Sequence, residues 1–97
     1  MLKYHPYPAN DGKHKYYIIT QSGKKIKFGA YGMSDYTLHK DEARKQRYIN
    51  RHKKIESKFW HDPDTASYWA LKYLWSYPTK EEAYQHIKKE LKRKGFI

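Results

Sequence analysis

Residues 59–79 read FWHDPDTASYWALKYLWSYPT. From Ala66 onward the apolar and aromatic residues point in nearly every helical direction, and a helix that is apolar all round is a buried one. Asp62 followed by Pro63 marks a start, with a capping carboxylate and then a residue suited to the first helical position. The pattern predicts a central helix over 62–75. Trp69, Leu71, Leu74 and Trp75 are its core residues. Trp60 and Tyr77 flank it as candidate docking aromatics, because Trp and Tyr favour interfaces.

The flanks are read from this centre. Pro78 closes the segment, and TKEE opens the next helix, with Thr79 and Glu82 spaced as a capping box. That helix is predicted over 79–94, with Ala83, Tyr84, Ile87 and Leu91 inward and Gly95 as its stop. On the other side a helix is predicted over 40–56. Asp41 and Glu42 suit its positive end, and Arg51, Lys53 and Lys54 suit its negative end. Its apolar side is narrow, consisting of Ala43, Tyr48, Ile49, His52 and Ile55. Further back, KYYIIT and KKIKFGAY are β-favouring runs around Gly23, which predicts a hairpin over 13–31. Tyr17, Ile19, Ile26 and Phe28 are expected on its core side. Residues 1–12 contain HPYPANDG and read as an extended arm. The fold class is α+β: an extended arm and a β-hairpin, then three helices around an aromatic core, with 13–97 as one small domain. A lone hairpin is marginal in water, so this one must pack on the helices.

Composition agrees with a thin, aromatic core. Of 97 residues, 18% are Phe, Trp or Tyr, which is far from the make-up of a disordered basic tail. The net charge is +11. Only residues 59–78 lack a positive balance, so basic flanks surround an aromatic centre. An anionic partner would relieve the self-repulsion of such a chain. There is no cysteine, which excludes disulfides and thiolate metal sites. No apolar run is long enough for a membrane span, and the first residues have no apolar leader region. An intracellular site of synthesis is expected.

Arg44, Lys45, Arg47, Arg51, Lys53, Lys54 and Lys58 form the candidate anion-binding set. They read as spread around most of the helix rather than along one edge. Acidic residues cluster at the helix start, so most of these cations lack partners one turn away. Such a surface suits phosphate contacts made without sequence choice, since no DNA-reading or RNA-reading signature is present. The hairpin lysines Lys13, Lys15, Lys24, Lys25 and Lys27 are expected to stay wet and to discourage edge pairing. The six histidines are dispersed. His39, Asp41 and Glu42 invite a nuclease reading, but capping and dipole effects account for them more simply. No metal site, cofactor, small-molecule substrate or enzymatic activity is expected, and oligomerisation is left open.

The segments SDYTLHKDEARKQRYINRHKKIE, FWHDPDTASYWALKYLW and YPT together resemble a family of small uncharacterised basic proteins of large DNA viruses. The resemblance covers roughly residues 34–79. It implies a viral setting and a structural role in the virion, as a minor capsid, cement or core component. Other virion proteins or packaged nucleic acid would be the partners, and synthesis would take place in the host cytoplasm or a viral factory. The resemblance carries no functional residue with it.

Overall fold

The computed structural model describes residues 2–97. Its elements run β1 (Tyr7–Pro8), β2 (His14–Ile19), β3 (Lys25–Ala30), α1 (Tyr36–His39), α2 (Glu42–Glu56), a 3-10 turn (Ser57–Phe59), α3 (Ala66–Trp69), a π-helical segment (Ala70–Trp75) and α4 (Lys80–Lys94). The three strands form one antiparallel sheet in the order β1-β2-β3. The fold is α+β, with the sheet against a buried aromatic cluster and the helices around it.

Residues 2–12 do not form a free arm. Tyr7 and Pro8 pair with Tyr17 and Tyr16 as an edge strand. Tyr4 is fully buried, its ring set edge-on to Phe96 with centroids 5.8 Å apart. Its hydroxyl donates to Asp64 at 2.5 Å and accepts from Gln21 N at 3.2 Å. Burial first, and then the bond to Asp64, push this phenol up to about 12.

Register reverses part of the expected sheet face. Tyr16 pairs with Phe28 and Ile18 with Ile26, and this set meets the core. Tyr17 and Ile19 pair with Lys27 and Lys25 on the other face. The YYII run is apolar in both parities, so β2 alone does not reveal its inward side. The strict alternation of Lys25, Ile26, Lys27 and Phe28 in β3 does, because a one-residue slip would turn every side chain over. Lys25 remains useful outside, with its ammonium 4.2 Å from the Tyr17 ring centre.

The central helix begins later than predicted and is not regular. Asp62 accepts from Asp64 N at 3.0 Å and shapes an Asp-Pro-Asp turn. Pro63 is buried, and its carbonyl accepts the Trp69 indole N–H at 2.8 Å. The cap is Thr65, whose hydroxyl accepts from Tyr68 N at 3.3 Å. One α-turn follows, and the chain then widens into the π-helical segment, whose Leu71, Tyr73 and Leu74 are buried. Ser76 Oγ donates back to the Leu71 carbonyl at 2.8 Å, satisfying one terminal acceptor. α4 follows its local signals: Thr79 Oγ1 accepts from Glu82 N at 3.1 Å, and Gly95 takes the left-handed cap at φ 83°. Ala83, Ile87 and Leu91 are its buried stripe.

At Gly29 the sheet and the π-helical segment come into close contact. It has φ +78°, and a Cβ there would lie 2.8 Å from Leu74 Cδ1 and 3.2 Å from Lys15 Cβ. Gly29→Ala therefore combines backbone strain with overpacking and is expected to cost about 2–4 kcal/mol. Urea unfolding measures this, and a loss under 0.5 kcal/mol, the size of an ordinary surface change, would mean the contact relaxes freely.

Candidate functional site

The site is built on the joint between α1 and α2, which is a run of caps. Asp35 is buried, and its Oδ1 accepts from Thr37 N at 3.0 Å and from Thr37 Oγ1 at 2.5 Å. Its Oδ2 accepts from Lys15 Nζ at 2.5 Å, which ties the joint to the sheet. Lys40 ends α1 in the left-handed region at φ 54°. Asp41 then caps α2 through Ala43 N at 2.9 Å and Arg44 N at 3.3 Å. His39 Nδ1 accepts from Asp41 N at 2.9 Å, and Glu42 accepts from the Tyr36 hydroxyl at 2.7 Å. Of the residues that invited a nuclease reading, Asp41 is thus a cap, His39 accepts from its backbone, and Glu42 is held by Tyr36. Burial, and then the Arg44 charge, hold the His39 imidazole below its usual range. Among the described residues no group of three or more His, Asp or Glu could hold a metal ion.

Beyond the joint, α2 sorts its cations by angle. Arg44, Arg47, Arg51 and Lys54 recur at steps of three, four and three residues, so at 3.6 residues per turn they share an arc of about 80°. They form one edge about 15 Å long, within a set of cations that as a whole is spread around the helix. All four are exposed, and none has a side-chain hydrogen bond or ion pair among the described residues. Lys53 is exposed on the opposite side of the helix. Lys58 is exposed in the turn after it, 5.1 Å from the Phe59 ring centre.

Lys45 has a different position. It is half-buried, donates to the Ser76 carbonyl at 3.0 Å and lies 4.8 Å from the Tyr36 ring centre. It holds α2 against its neighbours, on the side where Ala43 and Ile55 were expected. Those two are exposed: Ala43 faces away from the inward direction set by Tyr48 and His52, and Ile55, on the Tyr48 side but two turns further along, stands at 75%. Tyr48 is the true anchor: its ring stacks on Trp75 at 4.2 Å and 7°, and on His52 at 4.2 Å and 30°. His52 also pairs with Glu56. Burial first pushes the Tyr48 phenol up to about 12.

The flanking aromatics are only partly free. Tyr77 stacks flat on His86 at 4.3 Å, so one face of its ring is covered from within the molecule. Trp60 is half-buried after the 3-10 turn. A group of large exposed apolar residues lies elsewhere: Tyr31, Met33 and Leu38 stand at 60–67% exposure around the β3–α1 loop. They escaped the sequence reading because a short loop has no periodicity to expose them.

Between α2, the loop and the sheet lies a cavity of about 290 Å³. The sheet contributes Lys15, Gly29 and Ala30, and the loop contributes Met33, Ser34 and Asp35. Tyr48, Arg51 and His52 of α2 face Ala70, Leu74 and Trp75 of the α3–π unit. Arg51 belongs to both the basic edge and the cavity wall.

Among the described residues no helix is long and apolar enough to cross a membrane. Residues 5–52 match the model of a family of unknown function, DUF5754. The match runs from β1 into α2, and so takes in the hairpin, the capping joint and three of the four edge cations. No curated protein and no solved structure matches the chain.

Proposed function

We propose that this protein is a non-enzymatic binder of nucleic acid that grips the phosphate backbone without reading its sequence. One observation carries this reading: Arg44, Arg47, Arg51 and Lys54 line one exposed edge of α2 with no internal counter-charge among the described residues. Charged side chains in such a row release counterions from a polyanion, and affinity then falls steeply with salt. The overall charge of +11 supports the same partner class by drawing polyanions in from a distance.

The test is binding to a random duplex across a salt series. Four phosphate contacts predict a log–log slope of roughly −3.6. The Arg44→Glu, Arg47→Glu, Arg51→Glu triple variant is expected to lose at least about 100-fold in affinity, by removing three contacts and adding repulsion. All three side chains are exposed, so the thermal transition should barely move. Unaltered affinity in the triple variant would rule the reading out.

A second reading is a structural component of a viral particle, in keeping with the resemblance of residues 34–79 to proteins of large DNA viruses. The exposed Tyr31, Met33 and Leu38 favour it, since a protein neighbour could cover them. Residues 2–12 offer such a neighbour no free arm, because they are folded onto the sheet and helices. Absence of the chain from purified particles would end this reading.

A further inference from the structure

We propose that the cavity beside Arg51 receives one unpaired nucleobase, so that the protein prefers single strands to duplex. This rests on the phosphate-binding reading above and names the substrate class of the same surface. Arg51 is the link. Its side chain belongs to the basic edge and also lines the cavity, so a strand laid along Arg44, Arg47 and Arg51 is delivered to the opening.

The chemistry of the walls suits a base. A base has flat apolar faces and a polar rim, and the cavity offers both kinds of surface. Met33, Leu74 and Trp75 supply apolar contact. The Lys15 ammonium has three N–H donors and gives one to Asp35, leaving donors for a carbonyl or ring nitrogen. His52 uses Nδ1 toward Glu56, which leaves Nε2 as a second polar contact at the wall. A volume of about 290 Å³ is ample for a single planar group. A paired base cannot enter without leaving the duplex, and that costs unstacking energy. The π-helical segment forms one wall, and such widened turns are frequent at binding sites.

The experiment compares three probes at one salt concentration: a short oligothymidylate, an abasic strand of equal length, and a duplex. A base seated against Met33, Leu74 and Trp75 should make the oligothymidylate bind at least about five-fold tighter than the abasic strand. The duplex should fall below the oligothymidylate. Ala30→Phe, at an exposed position on the cavity rim, should erase the preference and leave abasic binding unchanged. A melting curve confirms that this variant folds, and the wild-type comparison stands without it.

Each other outcome is decisive. Equal affinity for oligothymidylate and abasic strand overturns the base assignment and leaves the phosphate reading intact. Failure of all three probes to bind overturns both. A preference that survives Ala30→Phe places the base elsewhere and overturns this site. Equal strand affinities, with an acidic peptide carrying one Phe binding the wild type and not Ala30→Phe, would give the cavity to a protein side chain.

Discussion

Asp35→Ala is expected to destabilise the fold by about 3–5 kcal/mol, the largest effect of any single change at the capping joint. The carboxylate and its partner Lys15 have side chains only 2% and 14% exposed. Removing the acid strands a nearly buried ammonium, and it also removes the acceptor for Thr37 N and Thr37 Oγ1. For a domain of this size the melting temperature should drop by at least about 12 °C. Asp35→Asn separates the two losses, because an amide oxygen can still cap α1 but cannot balance Lys15. Lys15→Met combined with Asp35→Asn should recover most of the stability, since an apolar pair of similar shape does not leave a buried charge. If Asp35→Ala melts within 3 °C of the wild type, the pair is an ornament of the fold.

The same pair sets an acid limit. Burial alone would raise the Asp35 carboxyl, but the hydrogen bonds from Lys15 and Thr37 outweigh it and hold it below the ordinary 3.8. The unfolded chain therefore takes up this proton first. The stabilising contribution is complete above pH 3.8 and is lost as pH falls through the lower folded value. Asp35→Asn should flatten this part of the stability curve. It should not abolish acid unfolding: Glu90 is also lowered, its bonds from Tyr68 and Lys94 overcoming the effect of burial.

Trp69→Ala is the second large effect, at about 3–5 kcal/mol. The ring is fully buried, with Phe28 at 5.9 Å, Tyr68 at 5.8 Å and Tyr73 at 6.4 Å between centroids. Its N–H also satisfies the Pro63 carbonyl. α3 is only four residues long, too short to persist without packing, so the turn should loosen with the ring gone. Trp69→Phe keeps most of the packing and orphans the carbonyl, and should cost about 1–3 kcal/mol. Urea unfolding distinguishes the two, and equal losses would mean that the hydrogen bond carries the whole effect.

What could be read in the sequence was local. Thr79, Gly95 and the inward stripe of α4 act through neighbours three or four residues away, and they lie where their spacing puts them. Trp69, Leu71 and Leu74 were legible for the same reason. The inward side of β2 was not, because Tyr16, Tyr17, Ile18 and Ile19 suit either face and only pairing with β3 decides. Asp62 and Pro63 formed a credible helix start, but Thr65 offered a competing cap that leaves the Pro63 carbonyl free for Trp69. The basic residues were evident by type, and their single edge was present in the spacing of 44, 47, 51 and 54. The cavity was beyond reach, since Lys15, Met33, Arg51 and Leu74 come from four separate parts of the chain.

The edge-to-ring contact of Tyr4 with Phe96 has a consequence for biosynthesis. Residues 4 and 96 meet in the folded molecule, so the seat of the segment made early is not complete until Phe96, just past α4, has left the ribosome. At ordinary translation rates that wait is about 5–20 s. During it Tyr4 can already meet Ile19, Gln21 and Asp64, but the edge of its ring lacks the cover that Phe96 provides.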